Sequence, residues 1–300
     1  MHRVAPVLGW FFSSIFCCMP AVASAESPGS SPDRNITGFE SLDEAQPLWE
    51  FGVASGYGQV PNYPASSEQN IIALAAPYLV YRGDVFRIGD GSARAVVVED
   101  SDIEIDISVG GAFSADSEDN TARACMPELD FLFEIGPQLI YRIKDFSFES
   151  GGNARLNAHL QARAVFSTDF GHIDGRGFVL QPEISYQQRG ALFKDTALQA
   201  SFSLIFASEK LQDYFYQVDE PFVLGNRPAF DASAGFLAAE VAAGLSFPIH
   251  NNIRGFAGGS VKLHHGAANR DSPLFEKKLT YSFGIGFVWR LHQSTQMAKW

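Results

Sequence analysis

The chain has 300 residues, 46% of them hydrophobic and 13% aromatic, ample for one large domain or two small ones. Its net charge is −12 and no Lys/Arg cluster offsets it. Nucleic acid is therefore excluded as a partner, because neutralising phosphates needs a basic surface.

Residues 1–25 read as a cleaved signal peptide. A short basic start precedes the apolar stretch 7–22, and Ala23-Ser24-Ala25 forms an A-x-A cleavage site, so the mature chain is expected to begin at Glu26. A lipoprotein reading on Cys17 or Cys18 is disfavoured by the bulky Phe16. Two of the three Cys leave with the signal, and Cys125 is left without an internal disulfide partner. Residues 26–48 are polar and rich in Ser, Pro and Gly, a flexible periplasmic lead-in. No later segment has the roughly 18 consecutive apolar residues of a spanning helix.

From residue 49 the chain is a series of alternating segments divided by turn signals, and helical periodicity is hard to find. Residues 102–113 set Ile103, Ile105, Ile107 and Val109 against Asp102, Glu104, Asp106 and Ser108. Residues 129–141 set Phe131, Phe133, Ile135 and Leu139 against Glu134 and Gln138. Residues 154–166 set Leu156, Ala158 and Leu160 against Arg155, Asn157, His159, Gln161 and Arg163. Residues 178–188 oppose Phe178, Leu180 and Ile184 to Gln181, Glu183 and Ser185. Glu240 is the awkward point of 232–248, where a bulge would shift the register. At the end, 279–291 (LTYSFGIGFVWRL) places a bulky apolar residue at every second position, with Thr280, Ser282, Gly284, Gly286 and Arg290 between them. Ten-residue segments that are apolar on one side and polar or small on the other are the signature of a transmembrane β-barrel.

Strands are expected near 49–58, 71–82, 84–88, 92–98, 102–113, 129–142, 146–166, 176–189, 195–208, 232–248, 252–265 and 279–291. Short connections (RGD, EDSD, KDF, GALFK, PIHNN) alternate with longer ones, as periplasmic turns alternate with external loops. The fold class is all-β, an antiparallel transmembrane barrel of about twelve strands, or ten if 84–98 is not a separate hairpin. The barrel should occupy 49–291, both ends should lie in the periplasm, and 292–300 should be a C-terminal tail.

Three stretches resemble a known family: APYLVYRGDVFRI (76–88), YFYQVDEPFVLGNRPAFDASAGF (214–236) and DSPLFEKKLTYSFGIGFVWRL (271–291). They are similar to the MltA-interacting protein/OmpV family of Gram-negative outer-membrane proteins, over roughly 49–291. The resemblance implies an outer-membrane barrel without catalytic residues or cofactor. It further implies a scaffold between a murein transglycosylase and a murein synthase, with general solute uptake, osmotic response or adhesion in other members. HQSTQMAKW (292–300) departs from an ending in which the last strand carries a terminal aromatic residue.

Most local signals have a plain structural explanation. Arg82-Gly83-Asp84 reads as a tight turn rather than an adhesion motif. The acidic alternation at 100–106 lacks the sixth-position Gly of a calcium loop, so no metal site is expected. Ser260 with His264 or His265 is a weak hydrolase pattern, since neighbouring His residues on a strand point to opposite faces and no G-x-S-x-G elbow exists. The loop 114–122 is either merely solvated or a divalent-cation contact to lipopolysaccharide. The aromatic run 214–218 either joins the girdle at the lipid interface or folds inward to close the mouth. The remaining candidates are charges expected to line the lumen: Asp102, Glu104, Asp106, Glu134, Arg142, Arg155, Arg163, Glu183, Arg254, Lys262 and Arg290, together with Arg189. They either cross-link the barrel or line a narrow solute channel. The expected function is a non-enzymatic outer-membrane scaffold, with a narrow channel as the alternative.

Overall fold

The computed structural model describes residues 47–297 except 83–85, 90–91, 100–102, 115–119, 149–151, 170, 191 and 194. The expected signal peptide, lead-in residues 26–46, Gly83 and Asp84 of the RGD triplet, Asp102 and the last three tail residues lie outside the described residues, as does the side chain of Asp106.

Among the described residues, twelve antiparallel strands close into one barrel. They are β1 (Trp49–Pro61), β2 (Gln69–Arg82), β3 (Phe86–Gly89), β4 (Ser92–Glu99), β5 (Ile103–Ser114), β6 (Phe131–Ser147), β7 (Asn153–Thr168), β8 (Ile173–Arg189), β9 (Ala197–Ala207), β10 (Gly235–His250), β11 (Ile253–Leu263) and β12 (Leu279–Gln293). Each pairs with its neighbours in sequence, and β1 pairs with β12, so the ring of strands is closed. Closure is what hydrocarbon demands, because an unpaired backbone group there costs several kcal/mol.

The two-residue period decides which side of the wall each residue occupies. On β12, Thr280, Ser282, Gly284 and Val288 are buried inward, while Tyr281, Phe283, Ile285, Phe287 and Trp289 are exposed outward. Leu139 and Tyr141 on β6, Leu160 on β7, Phe178, Leu180 and Ile184 on β8, Phe202 on β9 and Val241 on β10 continue the exposed apolar face. An apolar belt of this extent is at home in lipid, not water. Small inward residues on β1 serve close packing. A Cβ at Gly52 would lie 2.1 Å from the Trp289 carbonyl oxygen and 2.4 Å from the Tyr78 ring.

Several limits differ from expectation for physical reasons. KDF is not the turn after β6. The strand passes through it with a register shift between Arg142 and Lys144 and runs to Ser147. The reversal comes at Gly152, whose φ of 93° suits glycine, and Phe148 N–H donates to its carbonyl. β10 has register shifts between Phe236 and Ala238 and between Pro248 and His250; the first precedes Glu240, which stands inward opposite Lys262. β12 runs on to Gln293. Beyond it the chain continues antiparallel beside Pro47 and Leu48, with Leu48 N–H donating to Gln296 O and an isolated bridge between Pro47 and Met297. The β8–β9 and β10–β11 turns and both described termini sit at one end of the barrel. The short β7–β8 connection and the described residues of the long connections after β1, β5, β9 and β11 sit at the other, the outer end by the usual rule for such barrels.

One element has no counterpart in the strand pattern: helix α1 (Glu209–Tyr216). Its apolar face is Leu211, Phe215 and Tyr216, with Gln212 beside them, spaced as one side of a helix. Ser208 caps it in extended conformation, and the Ser208 carbonyl accepts from Leu211 and Gln212 N–H. Glu209 sits in the first turn, where a negative charge favours the helix dipole.

Candidate functional site

At the inner end, charged side chains tie neighbouring strands together. Glu50 of β1 is buried between Arg82 of β2, a direct ion pair, and Arg290 of β12 at 3.4 Å. Arg82 also donates to Pro47 O at 2.9 Å, holding the entering chain. Arg155 meets Asp145 through two bonds of 2.7 and 3.1 Å, and Arg142 lies 3.6 Å from the same carboxylate. Arg254 spans from β11 to the β8–β9 turn, donating to Asp195 O at 2.7 Å and to Ser246 Oγ at 3.0 Å.

The middle of the interior is a polar network. Arg163 Nε lies 3.0 Å from Glu134, and its Nη2 donates to Gln181 Oε1 at 2.9 Å. Gln181 in turn donates to Ser203 Oγ at 3.1 Å. His159 lies between Gln138 (3.4 Å) and Ser185 (2.8 Å), one on each ring nitrogen. Lys262 is 3.8 Å from Glu240. Glu183 occupies the position opposite His159 on β7 and Ser203 on β9.

The outer end is sealed by a hydrophobic core. Inward residues Leu132, Val165, Val179, Ile205 and Leu237 meet Tyr63, Leu129, Leu211, Phe215, Tyr216, Val218 and Leu274 from the long connections. A twelve-strand barrel is wider than the eight-strand barrels that side chains alone fill, and here loops supply the missing volume. Polar bonds lock them: Tyr63 OH donates to Leu274 O (2.8 Å), Tyr216 OH to Pro64 O (2.9 Å) and Ser272 Oγ to Tyr216 O (2.8 Å). Arg123 donates to Phe215 O and Pro127 O, and Arg227 to Ala122 O, Ala124 O and Phe222 O. These guanidiniums serve as backbone staples. Burial raises the Tyr63 and Tyr216 hydroxyl pKa values, so both stay donors, and burial with Asp130 nearby pushes Tyr214 up to about 12. His264, at the root of the last loop, donates from Nδ1 to Leu237 O (3.1 Å) and accepts at Nε2 from Thr280 Oγ1 (3.0 Å). Burial pushes its pKa down to about 4, opposed by the Leu237 carbonyl and aided by Lys262.

Of the sequence candidates, Arg142, Arg155, Arg254 and Arg290 enter the ties at the inner end and Glu134, Arg163 and Lys262 the polar middle, where Glu183 also stands; none enters the outer core. Glu104 is half-buried on β5, opposite Ile140. The basic residues meet Glu50, Glu134, Asp145 and Glu240 in addition to any contact with the 102–106 stripe. Glu50, Arg82 and Asp145 are not among the sequence candidates. Glu50 shares inward parity with Gly52 and Ala54, a usable signal, whereas Arg82 and Asp145 belong to the RGD and KDF turn signals. YFYQV folds inward, and part of the 114–122 loop is packed rather than merely solvated, since Asn120 is buried and Ala122 lies against the core. His264 is buried and His265 exposed, and both ring nitrogens of His264 are engaged away from Ser260.

The family model described as "MltA-interacting protein MipA" matches residues 52–291. The chain belongs to the MltA-interacting protein MipA family. It is an outer-membrane β-barrel of a non-enzymatic family. No curated protein matches it. Among solved structures it is similar to in-vitro-folded OmpT, an outer-membrane protein of Vibrio cholerae, at 11% identity and TM-score 0.27, covering 82% of this chain and 100% of that one. It is also similar to Ail, the attachment invasion locus protein of Yersinia pestis, solved with the heparin analogue sucrose octasulfate, at 8% identity and TM-score 0.17, covering 82% and 99%.

Proposed function

We propose that this MipA-family barrel is a closed scaffold, exported by a cleaved signal peptide, that holds murein-remodelling enzymes at the outer membrane. The observation that carries the reading is the sealed outer mouth: a buried core of loop and strand residues occupies the space a porin leaves open. The family description names MltA as a binding partner, and a murein transglycosylase of that kind is the first candidate here. The surfaces left for it are the periplasmic turns and the 26–48 lead-in. Co-purification tests this. The full mature barrel should retain a murein transglycosylase from the same cell envelope, and a version lacking residues 26–46 should retain less. Failure of the intact barrel to retain one sinks the proposal.

A narrow solute channel is the second reading, favoured by the polar network of Glu134, Arg163, Gln181 and Lys262 in the interior. In planar bilayers the scaffold reading expects no stable single-channel current, whereas discrete steps would support the channel.

A further inference from the structure

We infer that the barrel wall opens sideways to the lipid between β2 and β5, and that a single-chain acyl amphiphile of the membrane enters the interior there. β2 pairs with β1 along its whole length, from Gln69 to Arg82. On its other side β3 meets only Tyr81 and Arg82, and the β3–β4 hairpin turns back after Gly89. Among the described residues, no strand faces residues 69–77 of β2 on that side. The pairing of β4 with β5 stops at Ser92 and Gly110, so residues 111–114 of β5 pair with β6 alone. β3 and β4 do not reach this height, and the two lips stand three strand spacings apart, about 14 Å. The connection after β5 bounds the gap from above, where Asn120 Nδ2 donates to Ser66 Oγ at 3.4 Å and Thr121 N–H to Glu68 Oε1 at 3.0 Å.

The residues of β2 fit an open lip. Arg82 N–H donates to Leu48 O, so even-numbered residues of β2 bond to β1 and odd-numbered ones turn their backbone groups to the open side. Ile71, Ala73 and Ala75 present N–H and C=O there, and Pro77 presents C=O alone. Proline is confined in sheets to places where its nitrogen faces no partner strand, so Pro77 marks this side as open. It also opposes the addition of a foreign strand, because it removes a donor from the edge. The side chains of Ile71, Ala73, Ala75, Pro77 and Leu79 are exposed outward, so the lip runs through the apolar belt. Backbone without a strand partner is tolerated at membrane depth where it lines a water-filled cavity or is covered by protein. The gap thus admits polar groups from a lipid surface, which a continuous wall does not.

Behind the lip the interior is apolar. Ile72, Leu74 and Ala76 point inward from β2; Leu74 continues across the wall into Gly56 and Gly286, and Ala76 into Ala54 and Val288. This strip is three strands wide, about 10 Å, the width of one extended chain rather than several. The far wall is the polar network of Glu134, Arg163, Gln181 and Lys262. One acyl chain on the apolar strip with its head group towards the polar network satisfies both walls. The outer mouth is packed with side chains, so the lateral gap is the route from the lipid.

Two measurements on the mature barrel in nanodiscs of diacyl phospholipid test this. Amide hydrogen exchange reads the lip: Ala73 and Ala75 N–H should exchange faster than Leu74 and Ala76 N–H, which face β1. Equal protection would mean that a strand covers the edge, and overturns the opening. Irradiation with palmitate carrying a diazirine near the chain end, followed by mass spectrometry, reads the ligand. Adducts are expected on the inward Leu74 and Ala76, and excess unlabelled palmitate should remove them while adducts on the outward Ile71 and Leu79 persist. Ala76→Trp, which fills the space before the apolar strip, should abolish the inward adducts, and Ala75→Trp on the outward face should keep them. Should Ala76→Trp fail to fold, the competition in the wild type decides. Outward adducts alone, inward adducts that palmitate leaves in place, or unchanged inward labelling of a folded Ala76→Trp each overturns the assignment.

Discussion

His264 shows how one buried ring ties a loop to two strands. Neutral, it bonds Leu237 and Thr280; protonated, its Nε2 can no longer accept from the Thr280 hydroxyl. Its folded pKa of about 4 lies below the unfolded value near 6.5. The unfolded chain therefore takes up the proton first. The stabilisation is complete above pH 6.5 and is lost as pH falls from 6.5 towards 4, by an amount on the order of 3 kcal/mol. Thermal melting in micelles should show that decline in the wild type. His264→Gln should melt lower at neutral pH and lack that part of the decline. At the Glu134–Arg163 pair, Arg163→Ala leaves the carboxylate without its ion-pair partner and Gln181 without its donor inside the barrel, and should cost about 3–5 kcal/mol. Replacing both charges, as Glu134→Leu with Arg163→Met, should restore much of that loss in urea unfolding, because no uncompensated charge remains. Additive losses would show that the pair does not act as a unit.

Among the elements, α1 carries the seal. Its buried face joins Leu211, Phe215 and Tyr216 to residues of five strands, and Ser208 Oγ accepts from Phe178 N–H where Gly177 turns at φ 96°. A side chain at Gly177 would strain that joint and place its Cβ 2.1 Å from Ser208 Oγ. Phe215→Ala empties an aromatic volume from the core and should destabilise by about 3–5 kcal/mol, seen as a lower melting temperature. The same change loosens the 208–234 loop, so protease cleavage within it should appear at concentrations that leave the wild type intact. Unchanged cleavage would mean that the seal does not depend on this ring.

For the whole molecule, the barrel is divided along its axis into charged ties at the inner end, a polar middle and an apolar cap. Each part uses a different source of stability: ion pairs between adjacent strands, hydrogen-bonded networks, and burial of loop side chains. The cap stands between the polar middle and the outside. Replacing 209–231 by a short Gly-Ser linker should leave a folded, heat-modifiable barrel and, in planar bilayers, create stable current where the wild type has none. If the shortened barrel stays silent, the polar middle is itself a barrier.

The barrel is legible in the residues alone, because lipid on one side of a strand imposes a period of two that survives in most of the long segments. Leu279 to Leu291 illustrates it: outward apolar residues and inward small ones stand as the alternation requires. The inward parity of Glu134, Arg155, Arg163 and Arg254 was readable for the same reason. Alternation carries no information about partners, so Arg290 with Glu50, or Arg155 with Asp145, had to await the register and its bulges. Nor does it describe the long connections, whose aromatic residues find their neighbours only when four loops converge over the mouth. The core at the outer mouth is packing between segments far apart in the chain, which no local pattern records.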